Sequence, residues 1–361
     1  MYKYSHGGNA VFESGKENIL DLSASINPLG MPENVINAVA REIPNCTHYP
    51  DSSSAELRNK IAEFENVKPE MILCGNGASD IIFRLPRAAQ AGKIMITAPT
   101  FSDYERSARS FGAKVVLYPL SEGSGFMLDD GFLRAVRTER PDLIYICNPN
   151  NPTGKLTDIA FVSQLAGCCY EIGALLVLDE CFLGFVQQSE MYTGKALLDK
   201  FSNLVILKAF TKLFALPGIR LGYAICRDRK LIESLYFHGA DWSVSNLAQA
   251  AGMAALDGAE DMIKRTAAYV AAERLKIENE LVHLGICVYK SQANYVFIRN
   301  PYDFDLFHEL DKKGIRIRSC HNFHNLDSRY CRIAVSTAEI NLKLLSAVGE
   351  IIISLVNPSL P

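Results

Sequence analysis

Between about residue 72 and residue 226, short β-branched apolar runs alternate with longer stretches whose apolar residues recur every three or four positions. The runs at residues 93–97, 114–118, 143–147, 175–179, 204–208 and 221–226 predict strands, and M-I-L-C before Gly75 predicts another. The intervening patterns, such as residues 102–111 and 161–172, predict helices. This alternation indicates an α/β domain whose mainly parallel sheet is covered on both faces. Near-continuous apolar runs such as A-L-L-V-L-D fit strands buried on both sides.

After Asn246 the pattern changes. A helical stretch dense in Ala, Glu and Lys runs from about residue 245 to 284. It leads into C-V-Y-K, A-N-Y-V-F-I-R, a helix near 304–313, G-I-R-I-R, Y-C-R-I-A-V and a final helix near 338–355. Few strands with helices grouped around them indicate a smaller α+β domain. The first 45 or so residues are too short for their own core and are expected to pack on that domain. The expected division is a large domain over 45–250 and a small domain made of 1–44 and 251–361.

Composition narrows the class. With 48% hydrophobic and 21% charged residues the chain reads as globular. A formal net charge of −3 argues against general nucleic-acid binding, so anion recognition must come from local clusters. No signal-like segment opens the chain, and no apolar run reaches the ~18–20 residues that span a bilayer. The ten cysteines form no C-x-x-C pair; they are expected to be reduced core thiols of a cytoplasmic protein, with no metal site.

In α/β sheets ligands bind beyond the carboxyl ends of the strands. After M-I-L-C comes G-N-G-A-S-D, where glycines and a helix start suit a phosphate. It is not the dinucleotide fingerprint, because Asp80 stands where the third glycine would be. After L-I-Y-I-C comes N-P-N-N-P-T-G, a rigid turn that presents the Asn151 amide. Asp179 ends the strand A-L-L-V-L and, if buried, calls for a cationic partner; read alone, that is an arginine or lysine. In K-A-F-T-K-L-F-A-L-P-G-I-R-L-G-Y, Lys212 follows a strand and Arg220 lies eight residues on. A desolvated lysine has a lowered pKa and attacks carbonyls. A carbonyl-trapping lysine, a phosphate-ready helix start, an asparagine and an aspartate together suit pyridoxal phosphate.

The run T-K-x-x-x-x-P-G-x-R-x-G-Y, with N-N-P-T-G and D-E before it, resembles the aspartate-aminotransferase fold of pyridoxal-phosphate enzymes over nearly the whole chain. The resemblance implies a mainly parallel seven-stranded large sheet and a small α+β domain. It implies that Lys212 carries the pyridoxal 5'-phosphate and that Asp179 pairs with its ring nitrogen, these two being the catalytic residues. Asn151 would donate to the phenolic oxygen and Phe182 would border the ring. Gly77, Ala78 and Ser79 would cradle the phosphate, helped by Thr211 and Arg220. Tyr104 would stack on the ring, the alternative being ordinary core aromatic packing, and Tyr49 would reach the neighbouring site of a homodimer. Two departures stand out: Ala209 replaces a hydroxyl residue common in relatives, and Phe182 replaces a tyrosine.

Substrate-facing segments separate the possible reactions. S-A-S-I-N-P-L-G-M-P places Asn27 in a turn near the site, and G-I-R-I-R-S-C places Arg316 and Arg318 at i and i+2, on one strand face. L-D-S-R-Y-C-R-I-A-V adds Arg329 and Arg332, with Asp327 and Glu339 as alternative partners. Such a cluster in a slightly acidic chain suggests a phosphorylated amino acid, with Arg318 and Arg332 as the functional pair. The arm S-H-G-G-N, with His6, Gly7, Gly8 and Asn9, reads as a lid over the substrate. H-G-G-N, S-I-N-P-L-G-M-P, W-S-V, I-R-S-C and L-D-S-R-Y resemble the threonine-phosphate decarboxylases of cobalamin biosynthesis more than histidinol-phosphate aminotransferases. That resemblance implies decarboxylation of O-phospho-L-threonine to aminopropanol phosphate, with transamination of a phosphorylated substrate as the alternative. O-phosphoserine lacks only a methyl group, a difference worth about 1–3 kcal/mol.

Overall fold

The computed structural model describes residues 19–356 together with Gly7 and Gly8. β1 (Leu20–Asp21), α1 (Glu33–Glu42) and α2 (Ala55–Glu65) come first. Strands and helices then alternate: β2 (Ile72–Gly75), α3 (Ala78–Ala88), β3 (Lys93–Ala98), α4 (Ser102–Phe111), β4 (Lys114–Pro119), α5 (Asp130–Glu139), β5 (Leu143–Cys147) and α6 (Ile159–Ile172). β6 (Leu175–Asp179), β7 (Leu204–Ala209), α7 (Phe210–Leu213), β8 (Gly222–Cys226) and α8 (Arg229–Phe237) complete this half. α9 (Asn246–Leu256) and α10 (Ala259–His283) lead to β9 (Cys287–Tyr289), β10 (Tyr295–Arg299) and α11 (Leu306–Lys312). The chain closes with β11 (Ile315–Arg316), β12 (Arg318–Ser319), β13 (Tyr330–Ala334) and α12 (Ala338–Val356).

The large sheet has the order β2-β8-β7-β6-β5-β3-β4, with β8 antiparallel to both neighbours and every other pairing parallel. Alternate side chains enter opposite cores, as the two-residue period of a strand requires. On β6, Leu176 and Leu178 join one core and Val177 the other. Cys147 pairs in register with Asp179, and Asp179 with Leu207, so three adjacent parallel strands end side by side. The N-P-N-N-P-T-G turn, Asp179 and the Lys212 segment therefore converge on one sheet edge. Because β8 runs the other way, Gly222 pairs with Gly75, bringing Arg220 beside Gly77.

The second unit is an antiparallel sheet, β12-β13-β10-β9, covered by α10, α11 and α12. β1 pairs parallel with β11 and Leu22 enters this second core, as expected for the early residues. α1 departs from that expectation, because its Val35 packs with Ala248, Ala251 and Ala255 of α9 in the core of the large sheet. The expected single helix over 245–284 is two helices, since Gly258 takes a left-handed conformation (φ 73°) and ends the first. We propose domain boundaries before Glu33 and at Gly258 in place of residues 45 and 250.

Candidate active site

A cavity of about 280 Å³ opens where the large sheet's carboxyl edge meets the small domain. Lys212, on the one-turn helix α7, projects into it. No acidic group among the described residues pairs with Lys212. Burial lowers its pKa to about 8, and the Arg332 and Arg220 charges add to the effect while Cys181 opposes it. The amine is therefore far more nucleophilic near neutral pH than an exposed lysine.

Asp179 is buried in the same cavity. It accepts hydrogen bonds from the Tyr104 hydroxyl at 2.6 Å and the Cys181 N–H at 2.9 Å. The arginine or lysine partner that Asp179 read alone would require is absent among the described residues. Burial raises its pKa, and the two hydrogen bonds counter this only in part. A buried carboxylate facing a cavity without a cation fits a ligand that brings one, such as a protonated ring nitrogen.

The start of α3 offers free N–H groups and a nearby guanidinium that suit an anion. α3 starts at Gly77 (φ 79°) with no side chain capping its first N–H groups, and Ala78 and Ser79 line the cavity. A Cβ on Gly77 would sit 2.7 Å from Arg220 Nη2, so the guanidinium lies directly over the helix start. Thr211 also lines the cavity, while the Ser79 hydroxyl is turned to Asp103 at 3.1 Å. Anion cradle, buried carboxylate and low-pKa lysine match the phosphate, ring nitrogen and aldehyde of pyridoxal phosphate. Asn151 and Phe182 also line the cavity.

On the small-domain wall, Arg318 and Arg332 pair directly across β12 and β13. Arg332 donates to Asn151 Oδ1 and, at 2.8 Å, to the Ser23 carbonyl. Arg318 donates to the Ser319 carbonyl and Asn322 Oδ1, each at 2.8 Å, and covers the Phe323 ring. Arg316 does not share this face. The chain passes from one sheet to the other at Ile317, and Arg316 bonds to Asp311 instead. Arg329 pairs with Asp327 on the exposed side.

Three expected site residues are placed differently. The Tyr104 ring is fully buried and stacks parallel on Tyr145, so it faces Asp179 edge-on through its hydroxyl and not the cavity. Phe101, three residues earlier, lines the cavity in its stead. It follows the end of β3, so the strand-end rule pointed to it. Asn27 does not face the cavity either. It donates to the Leu213 carbonyl at 2.7 Å and to the Thr266 hydroxyl at 3.1 Å, and it accepts from Leu29 N–H at 3.0 Å. Its N–H bonds the Lys212 carbonyl at 3.0 Å, so Asn27 braces the lysine segment. Tyr49 is 78% exposed and stacks on Trp242 with ring centroids 4.5 Å apart.

The arm is described only at its glycines; His6 and Asn9 lie outside the described residues. Gly7 lines the cavity, and a Cβ there would come within 2.4 Å of the Ser23 carbonyl oxygen. Gly8 N–H donates to the Ser23 hydroxyl at 2.8 Å. Ser23, which sequence reasoning did not single out, thus joins the arm to Arg332. Among the described residues no His, Cys, Asp and Glu cluster is placed to hold a metal ion, and no helix is long and apolar enough to cross a membrane. All ten cysteines are free thiols.

The chain is 33% identical over 359 residues to the threonine-phosphate decarboxylase of Salmonella typhimurium, covering 98% of each chain. It is 32% identical over 348 residues to the histidinol-phosphate aminotransferase of Bacillus subtilis, covering 94% of this chain and 93% of that one. The crystal structure of the histidinol-phosphate aminotransferase from Clostridium acetobutylicum superposes with a TM-score of 0.87 at 30% identity, over 93% of this chain and all of the other. The family model for aminotransferase class I and II matches residues 17–348, and the chain belongs to that family.

Proposed function

We propose that this protein is a pyridoxal-phosphate-dependent decarboxylase that converts O-phospho-L-threonine to aminopropanol phosphate and carbon dioxide, a step serving cobalamin biosynthesis. The observation that carries the reading is the Arg318–Arg332 pair: two cations in register on the wall of a cavity that also holds Lys212. Like charges directly opposite destabilise a strand pair. A substrate with both a phosphate and a carboxylate offsets that cost, because arginine binds each in a bidentate fashion. The similarity to the Salmonella enzyme supports the same substrate.

When bound, pyridoxal phosphate supplies the electron sink that lets the α-carbon shed its carboxylate. The chain's residues do the rest. Asp179 keeps a proton on the ring nitrogen, and Tyr104 and the Cys181 N–H hold that carboxylate still. Arg332 seats the substrate carboxylate, fixed by its bonds to Asn151 and Ser23. Arg318 and the His6 arm receive the phosphate, and Gly7 and Gly8 let that arm lie against Ser23 to exclude water. Lys212 Nζ, the amine that projects into the cavity, carries the proton that replaces the carboxylate at the α-carbon.

The protein acts as a cytoplasmic homodimer in this reading, where its free thiols stay reduced and Tyr49 enters the neighbouring site. Sedimentation should give twice the chain mass, and a fully active monomer would contradict it. Histidinol-phosphate transamination is the second reading, favoured by the comparable similarity to the Bacillus enzyme. Carbon dioxide release from O-phospho-L-threonine without any keto acid separates the two.

A further inference from the structure

Tyr295 touches three parts of the site at once without lining the cavity. It opens β10, beside the strand that carries Arg332, and its side chain is fully buried. The Arg332 guanidinium carbon lies 5.1 Å from its ring centroid, and Phe182 meets the ring edge-to-face at 5.2 Å. Its hydroxyl donates to the Asn150 carbonyl at 2.8 Å, one residue before the Asn151 amide that accepts from Arg332. Arg332 Nε is buried with no hydrogen-bond partner. Two hydrogen bonds and one aromatic face therefore hold the guanidinium plane.

We propose that Tyr295 is a positioning residue for carboxylate recognition: its ring sets the tilt of Arg332, and its hydroxyl ties that ring to the Asn150–Asn151 turn. Carboxylate seat and cofactor site then hold a fixed mutual geometry across the two domains. A planar fork that must meet a carboxylate through two parallel bonds tolerates little tilt. The proposal rests on the proposed function for the ligand's identity and for Arg332 as the carboxylate seat.

The test compares Tyr295→Phe and Tyr295→Leu holoenzymes with the parent. Ligand affinity is read by rapid mixing from the visible absorbance of the bound cofactor, before turnover. O-phospho-L-threonine carries the carboxylate and aminopropanol phosphate lacks it. Tyr295→Leu should weaken the first ligand by about tenfold or more and the second by less than about twofold, since only the first engages Arg332. Tyr295→Phe keeps the ring, and its loss should be about threefold, again confined to the carboxylate-bearing ligand. Equal weakening of both ligands, or no change in either variant, overturns the proposal. Should Tyr295→Leu not fold, the Tyr295→Phe split decides. If the parent binds neither ligand, the decarboxylase reading fails instead; glutamate and histidinol phosphate then form the pair, with the same split expected.

Discussion

Arg318 and Arg332 face one another across an antiparallel strand pair, and each guanidinium also lies over an aromatic ring, Phe323 and Tyr295 respectively. Burial lowers the pKa of both; Arg332 is buried and Arg318 half-buried. In the proposed function these two cations receive a ligand that carries two anionic groups. Truncating either to glutamine should cost about 2–4 kcal/mol of transition-state binding, roughly 30- to 700-fold in kcat/KM for O-phospho-L-threonine. Inorganic phosphate should also raise the melting temperature of the holoenzyme more than that of Arg318→Gln. Unchanged kcat/KM in either variant contradicts the pairing of roles.

Tyr104→Phe separates two roles for that residue. If its hydroxyl orients Asp179, the variant keeps its cofactor but loses about 1–1.5 kcal/mol, roughly tenfold in kcat. If the ring stacked on the cofactor, phenylalanine would serve equally well and kcat would not change. Phe101→Ala should show the complementary effect, releasing cofactor more readily on dialysis.

Cofactor capture reports the state of Lys212. Only the neutral amine attacks an aldehyde, and deprotonation falls near pH 8, against 10.5 for an ordinary lysine. The initial rate of pyridoxal phosphate capture by cofactor-free protein should rise ~tenfold per pH unit below that point and level off above it. A rate still climbing toward pH 10.5 contradicts the desolvated lysine. Lys212→Ala should never develop the long-wavelength band of lysine-bound cofactor.

Beneath the site, Glu65 accepts from Lys208 at 2.9 Å and from the Tyr223 hydroxyl at 2.6 Å, and it pairs with Lys195 at 2.9 Å. Burial alone would raise its pKa, yet the two ammonium groups and the hydroxyl bring it down to about 2. A carboxylate depressed in the folded state adds stability above its unfolded pKa, and that stability is lost as pH falls from about 4.5 to about 2. Glu65→Gln should lower unfolding free energy by about 3 kcal/mol at pH 7 and flatten acid unfolding over that window. Parallel acid-unfolding curves for parent and variant contradict it.

Strands buried on both sides were the most legible part of the chain. Leu143–Cys147 and Leu175–Asp179 have the bounds their apolar runs predict, because burial on both faces leaves no periodicity to misread. Lys212, Asp179, Asn151 and Gly77 were legible because each follows a strand or opens a helix, which places it at the sheet edge. Local spacing could not show that the chain changes sheets at Ile317, separating Arg316 from Arg318. It could not show that Asn27 is fully engaged by partners at Leu213 and Thr266, far along the chain. Phe101 and Tyr104 stand one helical turn apart, and only the packing of Tyr145 decides which of them faces the cavity.

Carboxyl-labelled O-phospho-L-threonine decides whether this cavity removes a carboxylate. Holoenzyme supplied with that compound and no keto acid should release the label as carbon dioxide with an equal amount of aminopropanol phosphate, and Lys212→Ala should release none. Label retained in the amino acid, with glutamate formed from histidinol phosphate and 2-oxoglutarate by the wild-type protein, would make it an aminotransferase instead.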